Sequence, residues 1–123
     1  MAEDEIFFEQ IRSAGCLSYL LGCAQEKVGV VIDPEIDKAD DYVGLAEFFK
    51  AKLLYAIDTH THAEHNSACK IMRERYGIKV IMHRATDAPY IDLRVDDGDE
   101  IQFGRQTLKV IHTPGHTQDA MCL

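Results

Sequence analysis

Three nearly continuous apolar runs constrain the fold of this chain more than any other feature of its sequence. They are VGVVI (28–32), LLYAI (53–57) and IKVIM (78–82). A strand with one solvated face alternates apolar and polar residues, so continuous apolar runs indicate strands that are covered on both faces. The three runs therefore predict a central sheet with a packed layer on each side.

Two amphipathic segments separate these strands. KADDYVGLAEFFKA (38–51) places apolar side chains near helical spacing, and SACKIMRERYG predicts a second helix, capped by Asn66 or Ser67 and ended by Gly77. Strands that alternate with helices predict an α/β fold. Because two helices can cover only one face of a sheet, we expect this chain to lack a layer for the other face.

The remaining segments extend the sheet. IFFEQI and CLSYLLG predict two further strands before residue 28, while the polar stretch 84–98 reads as irregular. DEIQFG and QTLKVIHT predict a hairpin that turns at Gly104 and Arg105. DAMCL begins one more strand, and the sequence stops inside that pattern.

Composition excludes several classes of function. The 123 residues suffice for one domain. A formal net charge of −8 leaves no basic stripe for nucleic acid and no attraction to an anionic membrane surface. No run is long enough to span a membrane, and the acidic N-terminus is unlike a signal peptide. Four cysteines without C-x-x-C spacing suit reduced, unpaired thiols, so we expect a cytoplasmic protein.

The segment DTHTHAEH (58–65), directly after the LLYAI strand, carries the strongest chemical signal. In an extended segment, residues two apart point the same way, so the His60 and His62 imidazoles can reach one ion. Glu64 continues that series, while His65 points elsewhere, towards a second ion or a hydrogen bond. Three histidines and a carboxylate in six residues predict a metal site.

A second histidine cluster follows in IHTPGHT. The tight Pro-Gly turn is expected to fix the direction of the His116 side chain. His83 and His112 are expected to be structural. Zinc, iron and manganese all accept imidazole and carboxylate ligands. A site of three histidines with an open position can hold a metal that activates water or oxygen.

THTHAEH followed by TPGHT closely resembles the T-H-x-H-x-D-H signature and downstream G-H of the metallo-β-lactamase superfamily. CLSYLLG, VVIDPEID, LLYAIDTH and DDGDEIQFGRQTLKVIHTPGHT resemble the branch that contains persulfide dioxygenases, with the glyoxalase II thioesterases as near relatives. The resemblance implies the N-terminal half of an αββα sandwich over residues 1–123. That half would have a mixed, mostly antiparallel sheet with helices on one face, and the C-terminal half would be absent.

The resemblance also implies ligand sets. In the hydrolases, the positions of His60, His62 and His116 hold a first metal, and the acid at position 64 and His65 hold a second. In the persulfide dioxygenases, a single iron is bound at the positions of His60 and His116 and by a later Asp. The matching Asp would lie beyond the last residue of this chain.

This chain departs from the signature at Glu64, where the family pattern has Asp. The extra methylene moves the carboxylate by about 1.5 Å, whereas a metal ligand tolerates about 0.2 Å in bond length. Glu64 therefore favours a mononuclear site over a dinuclear one. Asp58 either orients the loop by hydrogen bonds or caps the strand end.

The expected function is a metal-dependent enzyme that acts on a glutathione-type thiol. The first hypothesis is an Fe(II) dioxygenase that converts glutathione persulfide and O2 into sulfite and the thiol. The alternatives are a Zn(II)-dependent glyoxalase II-like hydrolase of acyl-glutathione thioesters, and an inactive half-domain that self-associates through its exposed sheet. A small structural zinc domain is a further possibility.

Overall fold

A six-stranded mixed sheet organises the chain. The computed structural model describes residues 6–13, 16–59, 67–84, 86, 89–112 and 121–122. The sheet order follows the sequence: β1 (Ile6–Ser13), β2 (Cys16–Cys23), β3 (Val28–Ile32), β4 (Lys52–Ile57), β5 (Lys79–His83) and β6 (Leu93–Val95). Strands β1 to β3 pair antiparallel, and β3 to β6 pair parallel.

Two helices connect the parallel strands. After a short 3-10 helix (Ile36–Lys38), α1 (Ala39–Phe48) leads from β3 to β4, and α2 (Cys69–Tyr76) leads from β4 to β5. Gly77 ends α2 in a left-handed conformation with φ 70°, which a residue without Cβ adopts at low cost. Both predicted helices are confirmed, with α1 shorter at each end than the segment 38–51.

The two helices cover one face of the sheet. The side chains packed between the helices and this face form the first apolar cluster, which is almost free of solvent. Burial of this cluster is the main stabilising contribution of the two helices. Its largest contributors from the sheet and the helices are Leu20, Val31, Leu53, Val80, Met82, Tyr42 and Met72.

A hairpin covers the centre of the opposite face. It consists of β7 (Glu100–Phe103) and β8 (Gln106–Lys109), and it turns at Gly104 as predicted. Alternate β7 residues, Ile101 and Phe103, are buried against the sheet. The expectation that the chain lacks a layer for this face is therefore wrong at the centre of the sheet. The second apolar cluster contains Cys23, Val30, Ile32, Ile57, Ile81, Val95, Ile101, Phe103 and Val110.

The remaining strands refine the expected topology. Strand β6 lies in the stretch 84–98 that was expected to be irregular, and β9 (Ile111–His112) pairs with β10 (Met121–Cys122), which confirms the strand predicted at DAMCL. The mixed sheet with helices on one face is also confirmed. Among the described strands four of seven pairings are antiparallel, but within the six-stranded sheet three of five are parallel.

Within the described ranges, no helix is long and apolar enough to cross a membrane.

Candidate metal centre

The candidate centre lies where the parallel strands β3 and β4 end side by side. Ile32 pairs with Ile57, so the next residues, Asp33 and Asp58, reach the same edge of the sheet. The carboxyl ends of parallel strands are a preferred place for ligand sites in α/β folds. Thr59, which follows Asp58, is the last described residue before the histidine-rich segment.

The segment before the first histidine is fixed by Asp33. One carboxylate oxygen of Asp33 accepts a hydrogen bond from the Thr59 N–H at 2.8 Å, and the other accepts one from the Thr59 hydroxyl at 2.7 Å. The Asp33 N–H in turn donates to the Ile57 carbonyl at 2.7 Å. Asp33 has φ 53°, a left-handed conformation that Asp tolerates better than most residues. Thr59 is thereby held at both its backbone and its side chain.

The segment after the last histidine is fixed by Asp58. The Ser67 hydroxyl donates to the Asp58 carboxylate at 2.7 Å and accepts the Cys69 N–H at 3.0 Å. Asp58 is 2 % exposed, and a buried carboxyl group needs hydrogen-bond partners of this kind. These contacts tie the end of β4 to the start of α2, and the choice between the two predicted roles of Asp58 stays a prediction. Ser67 accepts the N–H of Cys69, the first residue of α2, whereas the N-cap position is Ala68, one residue after the predicted cap.

The predicted metal ligands themselves, His60, His62, Glu64, His65 and His116, lie outside the described residues. Within the described part of the chain, no three His, Cys, Asp or Glu side chains are grouped closely enough to hold a metal. The ligand set therefore stays a prediction. His83, expected to be structural, is buried at the end of β5.

The Cys69 thiol is enclosed behind Ser67 at the start of α2. Cys69 and Cys23 are both free cysteines, as expected for these two positions. Burial, reinforced by the negative charge of Asp58, raises the pKa of the Cys69 thiol well above its ordinary value. The thiol therefore stays protonated near neutral pH, and a protonated thiol is a poor metal ligand and a poor nucleophile.

The described surroundings fit a divalent metal held by the loop. The loop sequence supplies three imidazoles and one carboxylate, and carboxylates outside the ligand set commonly fix the orientation of metal-binding residues. Asp33 and Asp58 hold Thr59 and Ser67, the residues that flank the loop. Sequence reasoning singled out Asp58 as a site residue and Ser67 only as a helix cap, and it assigned no role at the site to Asp33 or Cys69. The signal for Asp33 was its place directly after the apolar run of β3.

An apolar groove lies beside this centre on the hairpin face of the sheet. Its volume is about 270 Å³, and it reaches the Asp33–Thr59 pair at one end. The stacked rings of Phe8 and Tyr19, with centroids 5.6 Å apart, form part of its wall. Its other apolar lining residues are Leu21, Ile32 and Leu108.

Comparisons with known proteins agree with this architecture. The sequence profile of the metallo-beta-lactamase superfamily matches residues 13–123. The chain is 37% identical over 101 residues to the mitochondrial persulfide dioxygenase ETHE1 of Homo sapiens, covering 81% of this chain and 39% of that protein. It is 33% identical over 111 residues to the hydroxyacylglutathione hydrolase of Rhizobium etli, covering 81% and 43%.

A solved structure is similar over nearly all of the chain. The crystal structure of ETHE1 from Myxococcus xanthus superposes with a TM-score of 0.88 at 30% identity, covering 94% of this chain and 52% of that one. The chain spans about two fifths of the length of the curated relatives that it matches. The profile match, the sheet order and the motif at the end of β4 agree, and this chain belongs to the metallo-beta-lactamase superfamily.

Proposed function

We propose that this chain contributes the metal-binding half of an enzyme that oxidises a glutathione-type persulfide, with His60 and His116 as its ligands to one Fe(II) and with His62 beside them. The observation that carries the proposal is Glu64 in a loop whose flanking residues are both hydrogen-bonded to buried or half-buried acids. The longer Glu64 side chain departs from the Asp of the two-metal signature, and Thr59 and Ser67 fix the two ends of the segment that carries it. The similarity to proteins named persulfide dioxygenase supports the same choice.

The residues of this chain would have distinct tasks. Asp33 and Asp58 hold the residues that flank the loop, and the protonated Cys69 thiol does not compete with a sulfur substrate for the metal. A bound Fe(II) would supply a Lewis-acidic and redox-active centre with open coordination positions. We further propose that residues 1–123 form the N-terminal part of a longer domain, because the matched relatives are more than twice as long.

The second candidate is a hydroxyacylglutathione hydrolase with two Zn(II) ions. His65 favours it, because this histidine stands at the position that holds the second metal in the hydrolases that the motif resembles. Relatives with that name match the chain over a similar span. Here an acyl-glutathione thioester would replace the persulfide as substrate.

Metal content and two substrates separate the candidates. Purified chain, loaded in turn with Fe(II) and Zn(II), is expected to bind about one equivalent of metal. Oxygen uptake and sulfite release with glutathione persulfide support the dioxygenase. Two zinc equivalents with thioester cleavage support the hydrolase, and metal binding without either activity supports an inactive half-domain.

Glu64→Asp is the matched variant for the ligand question. Shortening this side chain restores the carboxylate reach of the dinuclear signature, so we expect the zinc-to-chain ratio to rise from about one towards two. A wild-type ratio of two, unchanged in Glu64→Asp, contradicts the mononuclear proposal.

We also propose that the chain associates with a second copy of itself through the apolar groove. Phe8 is 54% exposed at this groove, and the hairpin leaves it uncovered. Sedimentation of Phe8→Glu should shift towards monomer, whereas Phe48→Glu, on helix α1, should leave association unchanged. A monomeric wild type at high concentration contradicts this proposal.

We propose a cytoplasmic location for the protein, because the free thiols of Cys23 and Cys69 suit a reducing compartment.

A further inference from the structure

We propose that the Tyr42 hydroxyl of α1 positions the metal-binding loop, acting through the segment Asp33–Glu35; this inference rests on the proposed metal-binding role of the loop. Tyr42 contacts that segment at Glu35 and is linked to the loop flanks only through it. It is therefore a positioning residue and not a ligand.

The segment Asp33–Glu35 contacts the chain on both sides of the loop. Asp33 holds Thr59 through two hydrogen bonds. The Pro34 carbonyl accepts the Ala68 N–H at 2.8 Å, and Glu35 forms an isolated antiparallel bridge with Ser67. A displacement of this three-residue segment therefore moves both flanks of the loop together.

Tyr42 fixes this segment from the core. The Glu35 N–H donates to the Tyr42 hydroxyl oxygen at 2.8 Å, and the same hydroxyl lies 2.8 Å from the Ser18 hydroxyl. Ser18 donates its own hydrogen to the Ile11 carbonyl at 3.3 Å. Since Ser18 has only one hydrogen, the Tyr42 hydroxyl must be the donor to Ser18. A directed chain of hydrogen bonds thus runs from the Glu35 N–H through Tyr42 and Ser18 to Ile11.

The hydrogen bonds that link Glu35, Tyr42 and Ser18 are shielded from water. Tyr42 is 1% exposed and Ser18 is 3% exposed, so water does not replace either partner. The aromatic ring of Tyr42 already fills the space between α1 and the sheet, and a phenyl ring would fill it equally well. Burial raises the pKa of Tyr42, so the hydroxyl keeps the proton that it donates. The hydroxyl is therefore needed for the link to Glu35 and not for packing.

Tyr42→Phe tests the inference without removing the ring. Tyr55→Phe is the matched control, because Tyr55 is half-buried on β4 and packs against the other face of the sheet. In metal-free protein, Tyr42→Phe is expected to speed hydrogen exchange at the Thr59 and Ala68 amides about tenfold relative to the Val80 amide. In Zn(II) or Co(II) titrations against a chromophoric chelator, it is expected to weaken metal binding about tenfold.

The two measurements separate this inference from the proposed function. Faster hydrogen exchange at Thr59 and Ala68 in Tyr42→Phe, together with no metal bound by the wild type, would support the role of Tyr42 in positioning these residues. The same result would contradict the proposed metal-binding function of the loop. Unchanged relative exchange and unchanged metal affinity in Tyr42→Phe would overturn the inference itself. If Tyr42→Phe does not fold, Ser18→Ala replaces it, with an expected change of about threefold in both measurements; no change there overturns the inference.

Discussion

At the scale of single residues, the groups that hold the loop are less visible in the sequence than the loop itself. The spacing of His60, His62 and Glu64 predicts a metal site because the motif is local. Asp33 is separated from Thr59 by 26 residues, and Ser18 from Tyr42 by 24. Local spacing carries no information on such pairs. They become neighbours only when the parallel register of β3 and β4 and the packing of α1 are known.

Asp33→Asn tests the two hydrogen bonds by which the Asp33 carboxylate fixes Thr59. Asn tolerates the left-handed conformation about as well as Asp, so backbone strain stays the same. One of the two side-chain acceptors becomes an amide donor, so the charge-assisted hydrogen bond from the Thr59 hydroxyl is lost and only a weaker, neutral bond in the opposite direction can replace it. We expect a loss of about 1–2 kcal/mol in the free energy of unfolding and a metal affinity at least tenfold weaker.

Urea unfolding and metal titration measure the two effects. Asp37→Asn, in the exposed 3-10 helix before α1, is the control and should change neither quantity. Wild-type metal affinity in Asp33→Asn would show that Asp33 does not position the loop.

At the scale of elements, the helix ends and the hairpin follow from local signals, whereas β6 does not. Gly77 and the Gly104 turn mark their elements through backbone conformation, which is a property of single residues. Strand β6 has only three residues, LRV, and carries no clear alternation. It is a strand because Asp92, just before it, is tied to α2 and β5. One Asp92 carboxylate oxygen accepts hydrogen bonds from the Arg73 guanidinium at 3.0 Å and the Val80 N–H at 2.8 Å.

Asp92 makes a pH-dependent contribution to stability. The Arg73 hydrogen bond, followed by that of the Val80 N–H, lowers the pKa of Asp92. A lowered folded-state pKa means that the contribution is fully present above the unfolded value of about 3.9. It is lost as the pH falls through the lower folded value. Asp92→Asn should therefore reduce the free energy of unfolding by about 1 kcal/mol near neutral pH and by less in acid.

Urea unfolding from about pH 7 to about pH 3 measures this difference. Glu9→Gln, an exposed carboxylate on β1, is the control and should parallel the wild type over the whole range. A wild-type curve and an Asp92→Asn curve that stay parallel into acid would contradict the assignment.

At the scale of the whole molecule, the continuous apolar strands predict two covered faces, and the structure has both. The hairpin was not predicted to be the second layer because β7 and β8 alternate apolar and polar residues. Such alternation indicates that one face of the hairpin is buried, but it does not indicate which surface that face packs against. Only the packing of Ile101 and Phe103 against the sheet shows that the hairpin is the layer. The open groove at Phe8 is the part of this face that the hairpin leaves uncovered.

The two apolar clusters also bear on whether metal is needed for folding. A small structural zinc domain unfolds without its metal because its core is too small. Here 23 apolar residues are buried among the described residues, and they come from both faces of the sheet and from both helices. The loop 60–66 lies between elements that this core already fixes. We therefore expect the fold to persist when metal is removed.

Chelator treatment followed by far-ultraviolet circular dichroism tests this expectation. The spectrum at room temperature should be unchanged, and the melt should stay cooperative. The midpoint should fall by about 10 °C, because ligand at a hundred times its Kd adds about 2.7 kcal/mol to the folded state. Loss of the spectrum at room temperature would instead make the metal part of the fold. A retained spectrum would show that the sheet, the helices and the hairpin hold the loop flanks without metal, and it would contradict the reading of this chain as a small structural zinc domain.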